Sequence, residues 1–226
     1  AKLVASLHDE SGRVAIAGFY DDVLDVDPSV REGIAGLPFS DDEFRAEVGA
    51  PALTGEDGFS TLERLWIRPT CDVCGLLSGY TGEGAKTVLP AEAMAKVSFR
   101  LVPDQDPARI AALFREHVQA HAPDGVTTEV VELHGGRPWR SSVDPKLLAA
   151  ASRSLAKAFG REPVLQGEGG SIPIVVEFEE LLDAPALLLG FSLPGCNMHA
   201  PDEWLSVENF EKGILALAYL YDELTV

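Results

Sequence analysis

The chain is poor in basic residues, sulfur and long apolar runs. Lys and Arg total 18 against 36 Asp and Glu, a formal net charge of −18, so a polyanion meets repulsion over most of the surface. Nucleic acid and anionic membranes are excluded as partners on that ground. The longest apolar run, Ala184 to Phe191, falls far short of the roughly 20 residues a membrane helix needs. Only 3 cysteines occur, too few for a stapled secreted scaffold, and the composition leads us to expect a soluble protein of a reducing, cytoplasmic compartment. What is present is a chain of 226 residues, 46% hydrophobic and 24% charged, enough for one large or two small cores. It opens at Ala1 without methionine, and residues 1–7 read as the tail of a helix already under way.

Periodicity gives a mixed α/β pattern without repeats. Strands are expected at 13–17, 93–102, 126–133 and 186–189. In the clearest, Ala93, Ala95, Val97, Phe99 and Leu101 alternate with Met94, Lys96, Ser98, Arg100 and Val102, which puts the first set in a core. Asp106-Pro107 and Asp144-Pro145 place an N-cap before a proline at the first helical position, and Gly160 supplies a stop. A last helix is expected over 207–224 with Phe210, Ile214, Leu217, Ala218 and Tyr221 inward. Residues 21–47 carry nine acids and read as a solvated connector with one short helix. The glycines and proline of His134-Gly-Gly-Arg-Pro138 set an expected domain boundary near residue 136.

Several motifs invite chemical readings. The loop Gly79 to Thr87 ends in Ala-Lys-Thr, but a nucleotide loop needs glycine where Tyr80 and Ala85 stand, so it presents Lys86 and Thr87 without cradling a phosphate. Cys71 and Cys74 share their spacing with Cys196 and His199, which leaves a structural zinc site open, although strand residues three apart face opposite ways. Glu168 to Pro173 reads as a loop-to-helix entry, with Ser171 as cap and small residues that admit a ligand close to the amides. His199 sits among turn-formers, from Pro194 to Pro201, where an imidazole is free to point into a site.

Taken in order, Trp66-Ile-Arg-Pro-Thr70, Gly82-Glu-Gly-Ala-Lys-Thr-Val-Leu-Pro90, Ser98-Phe-Arg-Leu-Val-Pro103, His134-Gly-Gly-Arg-Pro-Trp139, Glu168-Gly-Gly-Ser-Ile-Pro173 and the His199 loop resemble the second half of aminoacylase/carnosinase-type metallopeptidases, nearest to the cytosolic non-specific dipeptidase branch. The resemblance implies a two-layer α/β sandwich lid over 1–136 that mediates homodimerisation. Residues 137–226 are then the C-terminal portion of an α/β catalytic domain.

It also implies two divalent metal ions, zinc or manganese, with His199 ligating one and contributing to substrate binding. Thr87, Arg100, Ser171 and the amide of Gly170 are implied to hold a dipeptide with a free carboxylate, and His134 receives no firm role. The family's His-x-Asp pair, bridging Asp and general-base Glu-Glu pair have no counterpart here, so no catalytic residue is assigned. We therefore expect the partner of this sequence to be an N-terminal half lying upstream, and the chain alone to be inactive. An N-acyl-amino-acid deacylase, a non-catalytic dimerisation fragment and a structural zinc protein stand as alternatives.

Overall fold

The structure is a computed structural model that describes residues 1–141, 143–167 and 172–225. The chain divides into two compact units. Unit 1 holds residues 1–41, 51–139 and 167–173, and unit 2 holds 42–50, 140–166 and 174–226.

Unit 1 is a two-layer α/β arrangement. It contains α1 (Lys2–Ala5), α2 (Pro28–Ala35), α4 (Thr61–Trp66), β1 (Thr70–Ser78), β2 (Ala93–Arg100) and α5 (Pro107–His121), with α3 (Asp41–Glu47) falling almost wholly in unit 2. β1 and β2 pair antiparallel, Thr70 opposite Arg100 and Ser78 opposite Ala93. The expected alternation holds over the second half of the run, where Val97, Phe99 and Leu101 lie against a core of Leu7, Val14, Ile16, Phe19, Cys71 and Ile110, whereas Ala93 and Ala95, expected on that face, are exposed and Val102, expected on the other, is buried. α5 starts where its sequence dictates, with the Asp106 carboxylate accepting from the Arg109 amide and Pro107 at the first turn. Its Ile110, Leu113 and Phe114 cover the sheet face, and Phe99 meets Phe114 edge to face at 5.4 Å. α4 carries a capping box between Ser60 and Glu63.

A buried ion pair ties the approach to β1 into this unit. Arg68 donates to both oxygens of Glu56 at 2.7 and 2.8 Å, with side chains only 10% and 9% exposed. The guanidinium also lies 4.2 Å from the Phe59 ring centroid and 5.3 Å from that of Tyr20. Beside it, the turn at Gly12 runs against the backbone of Gly55, so closely that a Cβ on Gly12 would stand 2.4 Å from the Gly55 carbonyl oxygen.

Unit 2 is built on α6 (Pro145–Phe159), α7 (Pro173–Leu182) and α8 (Val207–Leu224). α6 begins at the Asp144 cap and ends on Gly160 in the left-handed region at φ 73°, both as the sequence implies. α6 and α8 pack together, and the residues they bury are small: Ala150, Ala151 and Ser154 on one, Ala216 and Gly213 on the other, Gly213 lying against the Phe191 ring.

Five expectations about elements need correction. Residues 13–17 make only an isolated bridge, His8 to Val14, and 126–133 and 186–189 join no ladder among the described residues. Apolar alternation marks a side chain's preference for a face, whereas a strand also needs a hydrogen-bonded neighbour. The segment 21–47 holds two helices, α2 and α3, because Asp27 caps the first by accepting from the Ser29 amide. Finally, the stripe of α8 expected inward is outward: Phe210, Ile214, Leu217, Ala218 and Tyr221 are exposed, and the helix instead buries Gly213, against the Phe191 ring, and Ala216.

Candidate functional site

Arg100 is the last residue of β2, exposed, on the strand face opposite to Phe99. It pairs with no carboxylate among the described residues, which leaves its fork of donors available to a ligand. Thr87 is exposed in the long loop that joins β1 to β2, and the same loop stacks Lys86 Nζ 5.4 Å from the Tyr80 ring centroid. Both residues therefore belong to unit 1, on the hairpin and its connection. Gly170 and Ser171 lie outside the described residues.

His199 belongs to unit 2 and is exposed. Its loop is tightly organised. The Cys196 amide donates to the Leu193 carbonyl at 3.2 Å, the Ala200 amide to the Asn197 carbonyl at 2.9 Å, and the Trp204 amide back to the Cys196 carbonyl at 3.1 Å. The Trp204 indole N–H adds a bond to the Gly195 carbonyl at 2.9 Å. Within this closed loop Asn197, His199 and Asp202 all take positive φ, 55°, 62° and 60°. Such conformations cost of order 1–3 kcal/mol each and persist where the surroundings over-determine them, commonly at ligand-holding positions. His134 lies in unit 1.

The cysteines argue against a zinc knuckle. Cys71 is 2% exposed inside the core of unit 1, and burial there pushes its thiol up to about 12, the opposite of what a thiolate ligand requires. Cys74 is exposed and occupies a β-bulge between Val73 and Gly75. No group of three or more His, Cys, Asp or Glu side chains gathers to hold a metal among the described residues. His199 is thus a lone imidazole, and the described residues do not by themselves complete a metal centre.

Sequence reasoning missed two features. The bulge at Cys74 has no signal in a run of strand-like residues, and the Glu56–Arg68 pair joins positions whose proximity no local pattern reveals.

Comparison with known proteins bears on all of this. The model of a peptidase dimerisation domain, M20_dimer, matches residues 1–126. The Cys-Gly metallodipeptidase of Schizosaccharomyces pombe is 29% identical over 99% of this chain and 48% of its own length. The human Beta-Ala-His dipeptidase is 24% identical over 98% of this chain and 44% of its own length. Among solved structures, an M20-family metallo-carboxypeptidase of Sulfolobus solfataricus superposes with a TM-score of 0.84 at 33% identity, covering 97% of this chain and 50% of that one. The dipeptidase Dug1p of Saccharomyces cerevisiae superposes with a TM-score of 0.83 at 28% identity, over 98% of this chain and 47% of that one. The chain spans about half the length of the curated relatives it matches. By the match over residues 1–126, with the two-layer unit those residues build, the chain belongs to the M20 peptidase dimerisation domain family.

Proposed function

We propose that the complete protein is a metal-dependent dipeptidase that hydrolyses dipeptides with a free C-terminal carboxylate by a metal-activated water. In this reading residues 1–136 form the lid through which two copies dimerise, and 137–226 are the C-terminal portion of the catalytic domain, completed by an N-terminal half of the same enzyme. The observation that carries the reading is the alignment of almost the whole chain to metallodipeptidases with two different named substrates, Cys-Gly and Beta-Ala-His. Those two dipeptides share a backbone carboxylate more than a side chain. Arg100, a guanidinium with no carboxylate partner among the described residues, is the group we assign to that carboxylate, and Thr87, on the loop that joins β1 to β2, is assigned to the substrate as well.

From the catalytic domain we assign Ser171 and the Gly170 amide to the substrate, and His199 to one of two divalent ions and to the substrate's neighbourhood. Bound there, two divalent ions, zinc or manganese, would lower the pKa of a water and polarise the scissile carbonyl. This chain's part is to orient the substrate through Arg100 and to present one imidazole from a closed, hydrogen-bonded loop. The three free cysteines fit a reducing compartment, and we place the protein in the cytoplasm.

The test uses the intact gene product, stripped with chelator and reloaded with zinc or manganese, against a dipeptide, a longer peptide and an N-acyl amino acid. Metal-restored cleavage of the dipeptide is expected. Arg100→Ala should lower kcat/KM about 10- to 100-fold, the worth of a hydrogen bond to a charged group at about 1.5–3 kcal/mol. Preference for the N-acyl amino acid would replace the reading with a deacylase, and preference for the longer peptide with a carboxypeptidase. No hydrolysis under any metal would leave a binding and dimerisation role.

A further inference from the structure

The most unusual titratable arrangement outside the candidate site lies on α5. His117 and His121, one turn apart, stack with ring centroids 4.0 Å apart and planes 21° from parallel. His117 is only 6% exposed, on the same stripe of the helix as Ile110, Leu113 and Phe114, while His121 is exposed. The hydrogen-bond partners define both tautomers. Ser6, which caps the C-terminus of α1, gives its hydroxyl proton to the Leu3 carbonyl at 2.8 Å, so toward His117 Nε2 at 2.9 Å it accepts. His117 therefore carries its proton on Nε2 and a lone pair on Nδ1. His121 Nδ1 faces the His117 carbonyl at 2.9 Å and so carries a proton that it donates. Every contact is satisfied by two neutral rings.

A second proton on His117 would charge a nearly buried imidazole stacked on another imidazole. The charges near it do not compensate. On α5, Arg109 is tied to Asp21 and Asp22 and Arg115 to Glu132, while Glu116 and, on α1, Lys2 make no hydrogen bond to either ring. We propose that the stacked His117–His121 pair is an acid-sensitive latch: neutral, it fastens the end of α1 to α5, and protonated, it releases that end. The seam it holds is the one that seats Leu7, 1% exposed, in the core of unit 1. In accord with this, burial first and the His121 charge second hold the His117 imidazole below the ordinary histidine range, outweighing a hydrogen bond to the Ser6 backbone that acts the other way. A lowered folded value means that the opened state takes up the proton more readily. The latch is thus closed above about pH 6.5 and weakens as pH falls from there through the folded value of His117.

The experiment is an NMR titration of the imidazole Cε1–H signals in the intact protein, with amide hydrogen exchange at Ser6 and Leu7 over the same pH range. His117 should titrate below an ordinary histidine. Protection at Ser6 and Leu7, corrected for intrinsic exchange, should fall about tenfold for each pH unit by which the His117 value is lowered. Amides of β1 should hold their protection. His117→Gln keeps an N–H donor for Ser6 without a titrating charge and should abolish the pH dependence. His121→Gln, on the exposed side, should bring the His117 titration back toward the ordinary value and keeps the test decisive if the first variant fails to fold. A His117 that titrates at or above the ordinary value overturns the proposal, as do loss of protection spread equally over β1 and an acid response that survives His117→Gln.

Discussion

Removing the charge of Glu56 is the most informative single perturbation of unit 1. Glu56→Gln preserves shape and one acceptor oxygen but leaves the Arg68 guanidinium, 10% exposed, with no counter-charge in place of two bonds at 2.7 and 2.8 Å. Removing one partner of a buried pair costs roughly 3–5 kcal/mol, because the remaining charge stays out of water uncompensated. The Phe59 and Tyr20 ring faces retain part of the cation's stabilisation, so we take the lower end, about 3 kcal/mol. For a chain of this size that is about 6–12 °C in Tm. With a slope of about 2 kcal/mol/M it is about 1.5 M in urea midpoint. Urea unfolding followed in unit 1 reads it directly. Two controls sharpen the reading: about 0.5 M salt should leave the difference intact, since the pair is shielded from the ions that screen surface charges, and Glu56→Leu with Arg68→Met should recover most of the loss. A loss under about 1 kcal/mol, or one erased by salt, would refute the reasoning and reclassify the pair with ordinary surface bridges.

Thiol chemistry and glycine geometry supply further tests. Under native conditions iodoacetamide should modify Cys74 first, with Cys71 and Cys196 reacting only on unfolding; mass spectrometry of partly labelled protein reads the order, and early modification of Cys71 would contradict its place in the core. Gly12→Ala should destabilise unit 1 by more than about 1 kcal/mol, since φ is +73° and the new Cβ meets a backbone oxygen, and a melting temperature equal to that of the parent protein would show that the turn can relax.

The helices were legible because their signals are local. Asp106-Pro107, Asp144-Pro145 and Gly160 each state a boundary within a few residues, and α5 and α6 obey them. The face of β2 was legible for the same reason, since strict alternation commits Val97 and Phe99 to one side. What escaped was settled between distant residues. The facing of α8 was settled by neighbours far away in sequence, among them Phe191, whose ring lies against Gly213, so that Gly213 and Ala216 are buried in place of the larger apolar stripe. The segment 126–133 has strand composition, but composition cannot nominate a partner. At the candidate site, spacing alone supported only a loop that leaves His199 free to point. The closure of that loop by Cys196, Asn197 and Trp204, and its three left-handed residues, depend on backbone bonds the sequence does not announce.

The indole bond that closes this loop has an optical consequence. Trp66 and Trp139 belong to unit 1, so Trp204 is the tryptophan of unit 2, and its N–H is committed to the Gly195 carbonyl. Tryptophan emission responds to hydrogen bonding and water at the indole nitrogen. The loop that carries His199 therefore contains its own fluorophore: an event that opens the loop must disturb the Gly195 bond, and replacing Trp66 and Trp139 by Phe would let that opening be watched without an added dye.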